Sequence, residues 1–337
     1  MRNYTVGGPE AKNAAQNNLV EGDWYKPVID RNTLKSLMSR SNGIAARDTA
    51  LWLVLLVGSG FIAYQCWGTW WSVPSFGVYG ILYGSASDAR WHECGHRTAF
   101  RSRRVNDAVY YLASIMDFRE PISWRWSHAR HHSDTIIVGR DPEIAFKRGA
   151  PLVNVFLEFF AIRTVIAETK KILMNSVGRA VPEQADFQPA EEMRGSFWWS
   201  RFYILLFAGV AVWCVVVGSV LPAMFIGLPT FYGRWLMVIY GITQHAGLAE
   251  DVLDHRLNTR TVMMNRVNRF LYLNMNYHLE HHIFPTVPYH ALPALHDAVA
   301  DQLPSPHSSI WHAMKEIFPT LAKQRTDQSV VLSRVVP

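Results

Sequence analysis

Cysteine is scarce in this sequence, and the common signatures of bound redox cofactors are missing. The chain has three cysteines in 337 residues, and Cys66, Cys94 and Cys214 lie far apart, in or next to apolar runs. This spacing excludes a disulfide framework and a zinc knuckle, so we expect small buried side chains. The sequence also contains no Gly-rich dinucleotide fingerprint, no cysteine set for an iron–sulfur cluster and no haem-binding segment. Any electrons that its chemistry required would therefore come from another protein.

Two further absences concern the start of the chain and its positive charge. Residues 1–44 are polar and lack an apolar core, which argues against a cleavable signal peptide. The net charge is +6, but no basic tract is interleaved with aromatic residues, so we expect no nucleic-acid partner. The mean hydropathy is close to zero. A mixture of uncharged membrane segments and charged cytoplasmic segments explains both values.

Two long runs are almost free of charge. Residues 49–87 contain no charged side chain over 39 positions, about twice the ~20 residues that one helix needs to cross a bilayer. We predict crossings at 49–71 and 74–88, with Pro74 and nearby tryptophans at the turn. Residues 202–249 carry only Arg234, and we predict crossings at 202–221 and 229–248. Arg234 is expected near the far interface, where its stem can snorkel.

The charges between these runs predict the orientation. Residues 88–201 are rich in Arg and Lys and are expected on the cytoplasmic side, with both termini on that side too. The expected fold is an all-α integral membrane protein with four transmembrane helices in two hairpins under a cytoplasmic helical cap. If the source is bacterial, the membrane would be the plasma (inner) membrane. The chain is predicted to consist of a polar N-terminal segment at 1–44, a membrane domain at 45–300 and a C-terminal tail at 301–337. The cap of the membrane domain comprises 89–200 and 250–300. Within it we expect interfacial or re-entrant helices at 105–118 and 152–167 and a surface loop at 180–196.

Three histidine clusters lie on the predicted cytoplasmic side. His278, His281 and His282 are spaced i, i+3 and i+4, so on a helix they fall within an arc of about 100°, with Glu280 on the opposite side. The same spacing occurs at His128, His131 and His132, and a two-histidine version at His92 and His96. Imidazoles on one helical face are a metal-ligand pattern. All three clusters lie next to predicted crossings, so they can meet at one site.

The first cluster also allows another interpretation. Residues 92–96 match H-E-x-x-H, in which Glu93 would be the general base of a zinc metalloprotease. Such a protease needs one more protein ligand and an open position, whereas this chain has six further histidines in two clusters. These suit two metal ions held by neutral imidazoles, which favours iron over a single zinc. A membrane metal-transport protein would carry its ligands inside the spans, and these clusters lie outside them.

Helical geometry indicates supporting residues as well. Asp88 lies one turn before His92 on the same face, about 40° away, so it would either orient the imidazole of His92 or cap the membrane helix. Glu280 faces away from the metal and is a candidate support. Gly95 stands where the other clusters have their middle histidine, and its missing side chain would allow another helix to approach closely.

The clusters resemble the three histidine boxes of the membrane fatty acid desaturase and hydroxylase superfamily. The resemblance rests on their order, sidedness and spacing over residues 49–300, and on the sequences His92-Glu93-Cys94-Gly95-His96, His128-Ala129-Arg130-His131-His132 and Asn276-Tyr277-His278-Leu279-Glu280-His281-His282-Ile283-Phe284-Pro285. It implies a mushroom-like helical fold with a non-haem di-iron centre under the cap. Such a centre uses O2 and external electrons, from a ferredoxin or a cytochrome b5 with its reductase, to attack an unactivated C–H bond of a membrane lipid or another substrate.

In this family a further ligand often comes from the cytoplasmic end of the fourth membrane helix. His245 occupies that place, and an imidazole in an apolar span is costly enough to indicate function. Relatives of the acyl-CoA desaturase type have Asn one turn earlier, where this chain has Gly241. His255 is expected to be a surface or salt-linked histidine, with a ligand or support role as the alternative. The remaining histidines share no spacing with the boxes and are expected to be solvated or satisfied; they are His290, His296, His307 and His312.

The resemblance leaves the product open. An acyl-lipid desaturase is the first expectation, because the His-Glu-Cys-Gly-His form of the first box occurs in desaturases that act within acyl chains. A ferredoxin-dependent hydroxylase or oxidative demethylase of an alkane or small catabolic substrate is the alternative. The third box begins with His278 and not with the Gln of front-end desaturases, and a fused haem domain is missing, so that subgroup is not expected. An Arg-rich group would either steer an acidic electron carrier or only fix the topology; it comprises Arg97, Arg101, Arg103 and Arg104.

Overall fold

The computed structural model describes residues 2–337, and this part of the chain is helical, with one isolated bridge between Val262 and His307 in place of any strand. In chain order, the first ten helices are α1 Pro9–Gln16, α2 Arg31–Leu37, α3 Asn42–Gln65, α4 Ser72–Gly80, α5 Ala86–Gly95, α6 Arg103–Met116, α7 Pro121–Ser133, α8 Leu152–Glu158, α9 Ile162–Ser176 and α10 Pro182–Phe187. The remaining nine are α11 Met193–Val217, α12 Leu221–Phe225, α13 Pro229–Tyr232, α14 Trp235–His245, α15 His255–Asn258, α16 Arg266–Leu271, α17 His278–Ile283, α18 Leu292–Val299 and α19 Ile310–Gln324.

Two helical segments are long and apolar enough to cross a membrane: Arg31–Gln65, which contains α2 and α3, and Ala190–Val217, which contains α11. Only 11% and 17% of their most apolar windows are buried by the rest of the chain. Large side chains such as Phe61 and Trp213 are therefore exposed on them. Unlike the core helices of a water-soluble domain, these helices present their apolar faces outward, as membrane helices do.

The segment predicted as the second crossing continues as a helix past residue 88, as expected. A helical turn of the π type at Ile81–Ser85 joins α4 to α5, so the chain is helical from Ser72 to Gly95. The first histidine cluster therefore lies on the same helical rod as the predicted crossing. This fixes the positions of His92 and His96 relative to the apolar segment before them.

The segment predicted as the fourth crossing is broken between α13 and α14. The Ser85 hydroxyl donates a hydrogen bond to the carbonyl oxygen of Gly233 (2.5 Å) and accepts one from the Met237 N–H (3.0 Å), so it satisfies backbone groups on both sides of the break. Arg234 directly precedes α14 and is only 6% exposed. Its expected snorkelling position is wrong, because its charge lies near those of Asp88 and Arg119.

The terminal segments pack against the helical body. Helix α19 covers one side of α14, where Ile317 and Leu321 join a buried cluster with Val238 and Ile242. Near the other terminus, the Gly7 N–H donates to the carbonyl oxygen of Gly139 (2.9 Å). Both ends of the chain thus contact the part that carries the histidines.

The remaining local predictions concern the loop at 180–196, the two interfacial helices and the cysteines. The predicted loop at 180–196 instead contains α10, a short 3-10 turn at Ala190–Glu192 and the start of α11. The predicted interfacial helices at 105–118 and 152–167 correspond to α6 and to α8 with α9. Cys94 is buried, whereas Cys66 and Cys214 are half-buried, and all three are free thiols.

Candidate metal centre

The nine histidines singled out from the sequence come together in two groups. The nitrogen atoms within each group lie within 4.8 Å of one another. The first group consists of His92, His96, His128, His132 and His281. The second group consists of His131, His245, His278 and His282. The groups combine histidines that are up to 189 positions apart in the chain, so only the tertiary fold produces them.

Two of the three clusters are divided between the groups. On α7, His128 and His132 belong to the first group, whereas His131 belongs to the second. On α17, His281 belongs to the first group and His278 to the second. Residues three and four positions apart diverge by about 40–60° on a helix, which allows one cluster to serve two neighbouring centres.

The start of α7 is fixed by a strong cap. Glu120 precedes Pro121, and its carboxylate accepts hydrogen bonds from the backbone N–H groups of Ile122 (3.0 Å) and Ser123 (2.7 Å). Proline in the first turn and an acidic cap both favour a helix start at this point. The second histidine cluster therefore begins two turns into a helix whose origin is well defined.

Oxygen atoms hold four of the imidazoles by their Nδ1–H groups. His128 donates to Glu143 (3.0 Å), His131 to Asp141 (2.8 Å) and His245 to the carbonyl oxygen of Asn258 (2.8 Å). His282 donates to the Thr135 hydroxyl (3.1 Å), because that hydroxyl's own proton goes to the carbonyl oxygen of His131 (2.7 Å). In each ring the proton is thus on Nδ1, and the Nε2 lone pair is free to bind a cation.

These Nε2 atoms point at one another. In the first group, His128 Nε2 lies 3.0 Å from His96 Nε2 and 3.2 Å from His132 Nε2. In the second group, His278 Nε2 lies 3.1 Å from the Nε2 atoms of both His245 and His282. A metal ion bound at about 2.1 Å from each imidazole would place neighbouring ligand atoms roughly 3.0 Å apart. The donor sets therefore fit metal ions, and a cation resolves the repulsion between lone pairs that face each other.

Burial keeps most of these rings neutral. It lowers the pKa of His92, His96 and His132 well below the usual range, and the neighbouring histidines lower it further. The same two causes lower the pKa of His278, His281 and His282. For His131, burial also lowers the pKa, but the Asp141 carboxylate outweighs it and raises the pKa overall. That carboxylate stabilises positive charge on the ring, whether a proton or a coordinated cation supplies it.

The sequence reasoning missed the residues that orient the rings. Asp141 and Glu143 stand in a loop after α7, and Asp141 also accepts hydrogen bonds from the backbone N–H groups of Ile136 (2.8 Å) and Glu143 (2.7 Å). Asn258 connects two regions, since its side chain donates to the carbonyl oxygen of Thr135 (3.0 Å). The only sequence signal for this loop is a pair of carboxylates within eleven residues of a histidine cluster.

Asp88 and Glu280, the two residues predicted to support the histidines, make different contacts. Asp88 pairs with Arg119 (2.6 Å) and not with His92, so neither expected role describes its contact. Glu280 is fully buried and faces away from both groups, as predicted; its carboxylate accepts hydrogen bonds from His296 and from the Thr261 hydroxyl. Glu280 thereby ties α17 to the C-terminal part of the chain.

Glu93 has no place at either histidine group. Its carboxylate accepts a hydrogen bond from the Tyr289 backbone N–H (3.2 Å) and is completely buried, which raises its pKa to about 7. A zinc protease needs this carboxylate next to the metal-bound water. The geometry therefore gives no support to the protease interpretation.

The other histidines lie outside the two groups. His255 is not the surface or salt-linked histidine that was expected: it is buried and stacked on Trp24, with ring centroids 4.2 Å apart. Its ring lies 5.3 Å from that of His282, so it packs beside the second group. His296 is bonded to Glu280 and His307 to Glu316 (2.9 Å), as satisfied histidines should be. His312 is exposed, with Nδ1 near the Ser308 hydroxyl, whereas His290 is half-buried and its Nε2 has no hydrogen-bond partner in residues 2–337.

Gly95 and Gly241 differ in the space around their Cβ positions. A Cβ atom on Gly95 would lie 3.2 Å from the ring of Tyr110, so its missing side chain does permit the close approach of α6. A Cβ atom on Gly241 would meet nothing within 4 Å. The side-chain position of Gly241 thus has free space.

Comparison with known proteins reveals similarity along most of the chain. The fatty acid desaturase family model matches residues 67–313. A fatty acid conjugase, FAC2 A, of Calendula officinalis is 25% identical over 261 residues, which cover 69% of this chain and 67% of the relative. An omega-6 fatty acid desaturase of the endoplasmic reticulum (isozyme 1) of Glycine max is 25% identical over 270 residues, covering 66% and 65%. A Delta(12) acyl-lipid conjugase (11E,13E-forming) of Impatiens balsamina is 25% identical over 262 residues, covering 68% and 64%. The chain thus spans about two thirds of the length of the curated relatives it matches.

Proposed function

The chain belongs to the fatty acid desaturase family, and from this membership we propose that it is a membrane-bound oxidoreductase that holds two iron ions and uses O2 to desaturate a fatty acyl chain of a lipid. The observation that carries the proposal is the pair of buried histidine groups, each with Nε2 atoms about 3 Å apart. All nine residues of the two groups are histidines, and no carboxylate belongs to either group. The proposed ligand sets are therefore rich in imidazole and poor in carboxylate.

Iron ions in these two sites would supply the redox chemistry that activates O2 for attack on an unactivated C–H bond. The chain's own residues have three tasks. Neutral imidazoles bind the ions, and Asp141 and Glu143 hold their rings in orientation. Burial of the ligands excludes bulk water from the reacting atoms: His281, for example, is fully buried.

The proposed membrane arrangement has four crossings in two hairpins. Two of them are α3 and α11, which are long and apolar. The others are the rod from Ser72 to Gly95 and the broken pair α13 and α14, whose break is protected by Ser85. Irregular backbone is tolerated at membrane depth where protein covers it. In this arrangement, the histidine groups and both termini lie on the cytoplasmic side.

The proposed substrate is an acyl chain because the relatives named above are desaturases and conjugases of fatty acids. The proposed electron donor is a ferredoxin or a cytochrome b5 with its reductase. In the Arg-rich group, Arg97 and Arg103 share Asp107 as a partner, at 3.1 and 3.6 Å. Arg101 and Arg104 are exposed, so they are the positions from which an acidic carrier would be attracted.

Expression in a host with a simple lipid profile, together with compatible electron carriers, tests the proposal. Mass spectrometry of the acyl chains should show new double bonds for the wild-type chain and none for His281→Ala, which removes one ligand of the first group. His312→Ala is the matched control, because His312 is exposed and outside both groups. It should keep the wild-type products.

Other outcomes would contradict parts of the proposal. Hydroxylated products that disappear in His281→Ala would mean that this site catalyses hydroxylation and not desaturation. Unchanged lipids from an iron-loaded protein with competent electron delivery would exclude the acyl substrate. A purified protein that holds one zinc ion and no iron would exclude the di-iron chemistry itself.

A further inference from the structure

A small cavity lies directly against the first histidine group. Three of its lining residues, His92, His96 and His128, belong to that group, and none belongs to the second. A molecule that enters this cavity therefore reaches the histidines of the first group without passing the second group. The remaining lining residues are Trp91, Gly95, Tyr110, Arg125 and Ala129.

These remaining walls offer little polarity. Trp91 and Tyr110 are aromatic, and the Tyr110 hydroxyl is already used, because it donates to the carbonyl oxygen of Pro121 (2.6 Å). Arg125 is the one charged lining residue, but its guanidinium is paired with Asp107 (2.8 Å) and lies over the Tyr110 ring at 4.1 Å. Asp107 also pairs with Arg97 and Arg103, so one carboxylate is shared by three arginines. Apart from this guanidinium and the histidines, the walls are aromatic or apolar.

The cavity is also small. Its volume is about 80 Å³, well below the roughly 300–1,000 Å³ typical of pockets for organic ligands. Among its lining residues, Tyr110 is fully buried and packs closely against Gly95. Ala129, by contrast, is exposed at the outer rim.

We propose that this cavity is the route by which dioxygen reaches the first histidine group. The inference rests on the proposed function, because it assumes that the group holds iron. Dioxygen is small and weakly polar, which matches the small volume and the aromatic and apolar part of the walls. The route separates the gas from the acyl substrate, which must approach from another direction because this cavity is too small for a lipid chain.

Closing the rim tests the proposal. Ala129→Phe places a ring over the opening without changing a ligand, and Ala129→Leu places a smaller group there. Nitric oxide serves as the probe, because it resembles dioxygen in size and binds ferrous iron with a distinct electron paramagnetic resonance signal. After anaerobic reduction, stopped-flow mixing should show nitric oxide binding at least about tenfold slower in Ala129→Phe, equivalent to ~1.4 kcal/mol of barrier, with Ala129→Leu between it and the wild type.

Two controls separate a closed route from a damaged site. Ser133→Phe adds the same ring to another exposed position of α7 and should bind nitric oxide at the wild-type rate. Iron content and the resonance signal at saturating nitric oxide should be unchanged in all variants, since the ligands are intact. Equal rates in wild type and Ala129→Phe would overturn the route, as would equal slowing in Ser133→Phe. A wild-type protein without iron would overturn the proposed function and the route together.

Discussion

Single side chains behind the imidazoles decide whether the lone pairs face the metal positions. Asp141 contributes three hydrogen bonds: it accepts from His131 and from the backbone N–H groups of Ile136 and Glu143. Ile136 has a positive φ of 56°, an uncommon conformation for a β-branched residue. One carboxylate therefore orients a ring and holds a strained loop in place.

Asp141→Asn is predicted to weaken metal binding while the chain still folds. The amide can accept only through its oxygen and carries no negative charge, so it stabilises a cation on His131 less well. Loss of such a partner typically lowers metal affinity about 10–100-fold. Iron retained during competition with a soluble chelator measures the effect. Asp301→Asn, at an exposed position away from the site, should retain iron like the wild type, and equal retention in Asp141→Asn would contradict the proposed role.

At the scale of helices, the break between α13 and α14 requires a very close approach. A Cβ atom on Gly233 would lie 2.0 Å from the carbonyl oxygen of Gly80, and one on Gly84 would lie 2.7 Å from the carbonyl oxygen of Pro229. Small residues allow helices in membranes to approach backbone to backbone. Gly80 and Gly233 thus position α14, which carries His245, against the rod that carries the first histidine cluster.

Gly233→Ala is predicted to destabilise the protein. The added methyl group has no space, and overpacking of this kind typically costs about 1–3 kcal/mol. Thermal denaturation in detergent should show a lower Tm. Gly241→Ala is the matched control on the same segment, since nothing lies within 4 Å of its Cβ position and alanine favours helix; its Tm should stay the same or rise. A Gly233→Ala variant as stable as Gly241→Ala would refute this account of the break.

At the scale of the whole molecule, distant segments meet at the loop that supports the histidines. The Gly7 N–H donates to the carbonyl oxygen of Gly139, and a Cβ atom on Gly139 would lie 2.5 Å from the Ala11 backbone nitrogen. On the other side of the loop, the Val138 N–H donates to the Asp251 carboxylate (2.8 Å). The N-terminal segment and the chain after α14 thus enclose the loop that contains Asp141.

Deleting residues 2–20 is predicted to loosen this loop. The deletion removes the hydrogen bond to Gly139 and the one from the Tyr4 hydroxyl to Glu250 (2.8 Å), each worth about 0.5–1.5 kcal/mol. Hydrogen exchange of peptides covering 134–143 should be faster, and iron should pass to a chelator sooner. Removal of residues 335–337 is the control, as Val335 is 90% exposed. Unchanged hydrogen exchange after deletion of residues 2–20 would show that the loop keeps its structure without the N-terminal segment.

The sequence alone determined the ligand candidates, the helical class and the apolar segments. Histidines at i, i+3 and i+4 share a helical face whatever surrounds them, and a run without charge indicates a span because burying charge in a bilayer is costly. His245 could be identified for the same reason. These are local properties that mark the candidates in the sequence, and all nine of them lie in the two groups that the tertiary fold brings together.

Only the tertiary structure decided how those histidines are divided and what holds them. His131 and His132 are neighbours in sequence but belong to different groups, because His132 meets His92 and His96, whereas His131 meets His245 of α14. Asn258 and the paired glycines Gly80 and Gly233 owe their roles to contacts with segments remote in the chain. Arg234 is buried and not extended to an interface for the same reason. Such contacts depend on how loops and helices pack in three dimensions, and the spacing of residues along the chain does not encode them.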